Sequence, residues 1–305
     1  MDWYSRTTKD LIYFATVPVP PNFSDRTWLN VGEFTSTGFE FAASYAAVDN
    51  GKFSWTPGIN FSTFNIELNS LSNDQFDFGG FQLISNLGSP GQNERTLIRV
   101  EEGKPFGQIW GPVYEGLNED GSWRFKDVNG DGAIDDRDDQ VIGSGLPDFE
   151  MGFTNNFTFG DFDLTFLLKG AFGHDLVNSY RAFYELPQLA TYNVIKTDFY
   201  DERLTETTGR FSSLHVEDAS YIRLDNLTLG YTLKLPETSP VSNARFYFSG
   251  QNLFYITDYQ GVDPEVRFID DPEGDGSGDL LAPGIDRRNT WARTRTFTFG
   301  VNISF

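Results

Sequence analysis

The chain has 305 residues, no cysteine, and 44 acidic against 23 basic side chains, a formal charge of −21. That length suffices for one large or two ordinary domains and a sizeable core. So acidic a surface repels phosphate and excludes nucleic-acid binding, and the lack of cysteine excludes disulfide frameworks, thiolate chemistry and zinc–thiolate centres. No apolar run approaches the roughly 18 residues of a membrane helix. The first twenty residues also lack the basic start and apolar stretch of a secretory signal. Membrane barrels remain open, because their strands cross without long apolar runs.

Period-two alternation dominates the chain and predicts strands throughout. The first 15 residues form one. Residues 38–48 form the next, with Phe39, Phe41 and Tyr45 on one side. The turn Asp49-Asn50-Gly51-Lys52 then leads into a strand carrying Phe53, Trp55, Ile59 and Phe61. Segments 78–86 and 95–110 are expected to add two more. Phe149, Met151, Phe153, Phe157 and Phe159 share odd parity; after Gly160-Asp161, Phe162, Leu164, Phe166 and Leu168 share even parity. That switch keeps one face apolar across a two-residue hairpin turn. Leu227, Leu229, Tyr231 and Leu233 mark the strand in 220–234, and Phe246, Phe248, Phe254 and Ile256 the one in 244–256. Phe297, Phe299, Val301, Ile303 and Phe305 end the chain, against Thr298, Gly300, Asn302 and Ser304. The count is about nine or ten strands, and no segment keeps a helical period.

Short connections (49–52, 160–161, 235–243) alternate with long ones (about 71–94, 111–148, 173–219 and 257–289). The long ones hold 30 of the 44 acidic residues but only 10 of the 23 basic ones. Near-neutral strands, short turns and long acidic loops are the pattern of an antiparallel transmembrane β-barrel. It places the loops outside the cell and the C-terminus in the periplasm. A soluble β-sandwich or propeller is the competing reading, since it too alternates. The Phe- and Leu-rich apolar face and the regular alternation of loop lengths weigh against it.

One segment has metal-ligand spacing. In Asp127-Val128-Asn129-Gly130-Asp131-Gly132-Ala133-Ile134-Asp135-Asp136-Arg137-Asp138, positions 1, 3, 5, 9 and 12 of a calcium loop fall on Asp127, Asn129, Asp131, Asp135 and Asp138. Gly132 suits the sharp turn, Ala133 offers its backbone carbonyl, and Ile134 is expected to anchor the loop to a core. The alternative is a solvated acidic turn held by its own Asx hydrogen bonds. A bound Ca²⁺ here would be structural. The acidic run 270–279 reads as solvated loop. Trp110, Tyr114, Trp123, Tyr184, Tyr200 and Tyr259 are loop aromatics able to stack on sugar rings, to form an interfacial girdle or to pack the loops. Two loop histidines, His174 and His215, with no nucleophile elbow, phosphate loop or zinc-binding helix, do not make an enzyme.

Several motifs, in order, resemble one family. Glu217-Asp218-Ala219-Ser220-Tyr221-Ile222-Arg223-Leu224-Asp225-Asn226-Leu227-Thr228-Leu229-Gly230-Tyr231 is similar to a signature of SusC/RagA-type TonB-dependent outer-membrane transporters. So are the stretch from Ser249 to Val266, the Gly170, Gly173, Asp175, Asn178 pattern with His174 where Asn is commoner, and near the start Thr8–Leu11, Asn30–Glu33 and Gly38–Glu40. The resemblance implies a C-terminal part of a barrel of roughly 22 strands that closes around a plug; residues 1–305 hold neither plug nor signal peptide. It implies uptake of oligosaccharides or peptides across outer-membrane lipid, a SusD-like lipoprotein partner, and energy from the TonB–ExbB–ExbD system. A free-standing small barrel (adhesin or porin) and a secreted calcium-binding β-domain are the other readings.

Overall fold

The computed structural model describes residues 1–17, 19–72, 77, 79–88, 92, 94–187, 193–198, 200–206, 209–266, 282–288 and 291–305. Eight long strands form its wall: β1 (Asp2–Lys9), β2 (Glu33–Ser44), β3 (Phe53–Ser70), β4 (Phe149–Phe159), β5 (Phe162–Phe172), β6 (Tyr221–Lys234), β7 (Asn243–Thr257) and β8 (Thr296–Ser304). They pair antiparallel in chain order, and the short pieces 48–49 and 104–105 join β3 to make a ten-stranded sheet. Among the described residues, β1 and β8 each pair on one side only, so the sheet is open.

Register explains why the wall holds one apolar face. Trp55 lies opposite Phe157, Phe157 opposite Leu164, Leu164 opposite Leu229, Leu229 opposite Phe248 and Phe248 opposite Phe299. Period-two alternation then puts every second residue of each strand on that side. Phe159, Phe248, Phe297 and Phe299 are 42–74 % exposed on it, an apolar surface far too extended for water. The same register puts Thr56, Asn156, Thr165, Thr228, Ser249 and Thr298 in one row on the opposite face. Small residues there make room for large neighbours. A Cβ at Gly300 would meet the Tyr247 ring, and one at Gly38 the Tyr4 ring.

Aromatic clusters mark both edges of the apolar band. Phe61, Phe149 and Phe172 stack toward the long-loop end, with ring centroids 5.5 and 4.9 Å apart. Trp55 and Phe157, 5.8 Å apart, and Phe162 and Tyr231, 4.8 Å apart, lie toward the short-turn end. From Phe149 to Phe157 the strand advances about 27 Å at roughly 3.4 Å per residue, which a tilt of about 40° projects to roughly 20 Å, most of the height of a barrel's apolar band.

Two sequence expectations change. Segments 78–86 and 95–110 supply no long wall strand, only the two residues 104–105 that join β3. Phe81–Asn86, Thr96–Glu101, Gln108–Gly111 and Gln140–Ser144 build a separate four-stranded sheet. They are too short to cross hydrocarbon, which takes about nine to eleven tilted residues. Their inner face, with Ile98, Val100 and Ile109, packs with Leu68, Leu71, Phe211 and Ile285 into a core at the loop end. The first 15 residues also divide, at Asp10 (φ 58°), into β1 and a piece, Ile12–Thr16, that pairs with Arg26–Asn30. The long connections are thus a folded body on the wall.

Candidate functional site

Two buried ionic networks fasten that body. Helix Ser179–Tyr184 is capped by the Asn178 side chain, which accepts from the Arg181 N–H. The cap aims Arg181, 1 % exposed, into the loop core. Its Nε donates to Glu185 at 3.0 Å, and its Nη1 to Glu217 at 2.7 Å and to the Leu214 carbonyl at 2.8 Å. Glu217 also accepts from Asn178 Nδ2 and from the Gln260 N–H. The second network stands where wall meets loop. Lys169 and Arg223, paired across β5 and β6 on the polar face, both donate to Glu265, at 3.1 and 2.6 Å. Arg293 joins the same carboxylate at 3.0 Å. Three cations on one carboxylate tie the 258–266 segment down. Of these residues, Glu217, Arg223 and Glu265 fall within the family-like motifs of the sequence, whereas Lys169, Arg181 and Glu185 lie outside them. Inward parity of two cations inside apolar strands was the signal.

Asp286 is the tension point of this body. It is fully buried; its Oδ2 accepts from Tyr259 Oη at 2.8 Å and from the Val262 N–H at 3.1 Å. Burial pushes its carboxyl up to about 6. A carboxyl held above its unfolded value of about 3.9 leaves the fold most stable below that pH, and the contribution is lost as pH rises through about 6. Loop stability against protease should therefore fall between pH 4 and pH 7 by about 3 kcal/mol. Asp286→Asn should flatten that dependence; an unchanged slope in the variant would show that another group sets it.

The predicted calcium loop is wound but closed upon itself. Asp127 accepts from the N–H groups of Gly130 (2.7 Å) and Gly132 (2.8 Å), with both glycines at positive φ. Asn129 accepts from the Asp131 N–H and Asp131 from the Ala133 N–H. Asp138 takes N–H bonds from Asp135, foremost, and from Val128, which hold it below the ordinary carboxylate range. Arg137 Nη2 lies 2.7 Å from both Asp131 and Asp135. Among the described residues no three carboxylate or imidazole groups meet around one point. Ile134 is 39 % exposed and does not anchor the loop; the hold comes instead from Asp138, which is fully buried, and from Arg95, which pairs with Asp139 at 2.5 Å.

The remaining sequence candidates separate. Tyr259 is buried on Asp286, and Tyr114 packs edge-on against Trp123. Tyr200 lies under the Lys196 ammonium and Tyr184 against Phe183. Trp110 and Trp123 line an open cleft. His174 faces the Pro264 carbonyl at 3.3 Å, and burial beside Arg181 pushes His215 down to about 3, hence neutral. The run 270–279 lies outside the described residues.

No protein-family model matches the chain. Over its whole length it is 28 % identical to TonB-dependent receptor P3 of Formosa agariphila and 26 % identical to TonB-dependent receptor SusC of Bacteroides thetaiotaomicron. It covers 32 % and 30 % of those proteins, so it spans about a third of the relatives it matches. Its fold is similar to one chain of the RagAB peptide transporter, with TM-score 0.75 and 21 % identity, over 99 % of this chain and 33 % of that one.

Proposed function

We propose that this chain, which belongs with the SusC/RagA-type TonB-dependent receptors of the outer membrane, is the C-terminal third of the barrel wall of a nutrient importer. The observation that carries this reading is the apolar row that register carries across six strands, β3 to β8, backed by a polar face rich in Ser, Thr, Asn and Gly. Lipid covers the first, and substrate and plug move against the second. The open edges of β1 and β8 fit a segment of a larger barrel better than a free-standing small one. In this reading the folded loop body is extracellular and meets a SusD-like lipoprotein. The C-terminus is periplasmic, and the TonB–ExbB–ExbD system supplies energy through the rest of the protein. The cargo is an oligosaccharide or a peptide. In cells carrying the full-length protein, deleting it should abolish uptake of that cargo; unchanged uptake would refute the import reading.

Phe305, 91 % exposed just past β8, shares the parity of Phe297, Phe299, Val301 and Ile303, and in this reading it anchors the end of the strand in lipid. In the full-length protein Phe305→Ser should lower outer-membrane abundance while transcript stays constant. Normal surface abundance would sink that role.

Calcium at residues 127–138 is a further part of the proposal. Asp127, Asn129, Asp131, Asp135, Asp138 and the Ala133 carbonyl are the hard oxygen donors that Ca²⁺ takes, and the loop is already wound by Gly130 and Gly132. Arg137 must leave Asp131 and Asp135 for the ion to enter. Calcium should therefore release heat on titration and protect 111–148 from protease, and Asp127→Ala with Asp131→Ala should remove both effects. A wild-type loop with no heat and no protection is not a calcium site.

A further inference from the structure

The connection from β7 to β8 does not rise away from the wall. Glu265, in its described stretch 258–266, bonds Lys169 and Arg223 on the polar face, at 3.1 and 2.6 Å. Their depth is set by register. Lys169 lies opposite Gly152 on one side and Arg223 on the other, three residues inside the Phe149–Phe172 stack at the long-loop end of the apolar band. At roughly 3.4 Å per residue, both cations are rooted about 10 Å along the strand from that edge. Arg223 also holds Asp225, two residues deeper on β6, so its guanidinium does not reach up toward the rim. The Glu265 carboxylate therefore stands at the depth of the apolar band and against the opposite face of the wall.

The second described stretch, 282–288, reaches the far side of the same face. A Cβ at Gly107 would meet the Pro283 ring, and one at Gly145 the Pro283 carbonyl. Gly107 follows the 104–105 piece that pairs with β3, and Phe106 donates its N–H to the Ile66 carbonyl of β3 at 2.9 Å. One connection thus stands over β5 and β6 at Glu265 and beside β3 at Pro283. From β7 to β3 is four strand spacings, about 19 Å at roughly 4.8 Å each. The far end is well fastened. Val177 donates its N–H to the Gly284 carbonyl at 2.8 Å, 285–286 pair with 177–178, and Arg287 donates to the Asn86 carbonyl and to Ser85 Oγ, each at 2.8 Å. Tyr259, Asp263, Ile285 and Asp286 are all buried. We infer that the β7–β8 connection is a fixed strap folded into the lumen, with Glu265 as its clasp, and that it narrows the lumen as a built-in constriction and does not swing aside. Lifting the strap would strip a carboxylate from Arg223, whose side chain is 3 % exposed, and a buried charge that loses its partner is costly. The inference rests on the reading of the polar face as the lumen wall.

The test uses the full-length protein in lipid nanodiscs, any cysteine elsewhere replaced by serine, with spin labels in pairs read by pulsed electron resonance. One pair joins Val262, 40 % exposed on the strap, to Thr56 in the polar row of β3. A second joins Thr56 to Thr298 in the same row of β8 and reports the wall alone. Each should give one narrow distance. Glu265→Gln should broaden the first distribution about twofold by local opening and leave the second unchanged. Lys169→Met, which keeps Glu265 on Arg223, should broaden the first less and guards against a Glu265 variant that fails to fold. Position is read separately: Lys169→Cys with Glu265→Cys should be bridged by a short bifunctional thiol reagent. A broad Val262–Thr56 distribution in the unaltered strap, a narrow one that both variants leave untouched, or no bridging between 169 and 265 would overturn the strap. A broad Thr56–Thr298 distribution in the protein without clasp substitutions would count against the wall reading instead.

Discussion

Arg181→Leu is expected to cost about 3–5 kcal/mol and to open the loop body to protease while the wall strands persist. Arg181 neutralises two carboxylates that water cannot reach: Glu185 is 7 % and Glu217 9 % exposed. Taking away one partner of a buried ion pair leaves the other charge without compensation, and that penalty exceeds what the pair itself contributes. Adding Glu185→Leu and Glu217→Leu to the variant should recover part of the loss, because the uncompensated charges go too. Thermal unfolding and limited proteolysis in detergent would read both. A single variant with wild-type protease resistance would mean that the network does not hold the loops.

The second large effect concerns the wall. Ile59 and Asn60 are consecutive in β3 and so face opposite ways. Ile59, 39 % exposed, lies opposite Phe153, midway along β4 between the Phe149 and Phe157 clusters. Ile59→Arg should cost about 2–4 kcal/mol near the bilayer midplane. Asn60→Arg, on the polar face, should cost much less. In a soluble sandwich an exposed Ile59→Arg would change stability by no more than about 0.5 kcal/mol. Refolding titrations into lipid vesicles compare the two, and equal costs would remove the membrane assignment for this face.

The wall was legible because its information is local. Parity across Gly160-Asp161, and the closing run from Phe297 to Ile303, need only neighbours two residues apart, and the pairing of β4 with β5 follows from the turn alone. One local feature was still hidden. Around Asp225 the register shifts opposite Asn252 (φ 53°), so the apolar face passes from Leu227 to Leu224 on β6 and continues through Phe254 on β7. The loop sheets were not legible. Thr96–Glu101 meets Phe81–Asn86 nearby, but the same sheet also takes in Gln140–Ser144, and the strand 285–286 joins 175–178 in parallel across a hundred residues. Alternation cannot say which distant segment a short strand will choose. The calcium-loop spacing was legible as a winding, whereas the position of Arg137 between Asp131 and Asp135 is a side-chain choice that spacing does not encode.

The facing of β8 can be measured directly by single-site labelling, because these 305 residues hold no cysteine and any elsewhere in the full-length protein can be replaced by serine. Cysteines placed one at a time from 297 to 304 in the full-length protein, spin-labelled and reconstituted in bilayers, report collision with oxygen in lipid or with a nickel chelate in water. Positions 297, 299, 301 and 303 should favour oxygen and positions 298, 300, 302 and 304 the chelate, alternating with period two. Alternation of the opposite phase, or uniform access of the chelate to every position, would contradict a wall whose apolar face meets lipid.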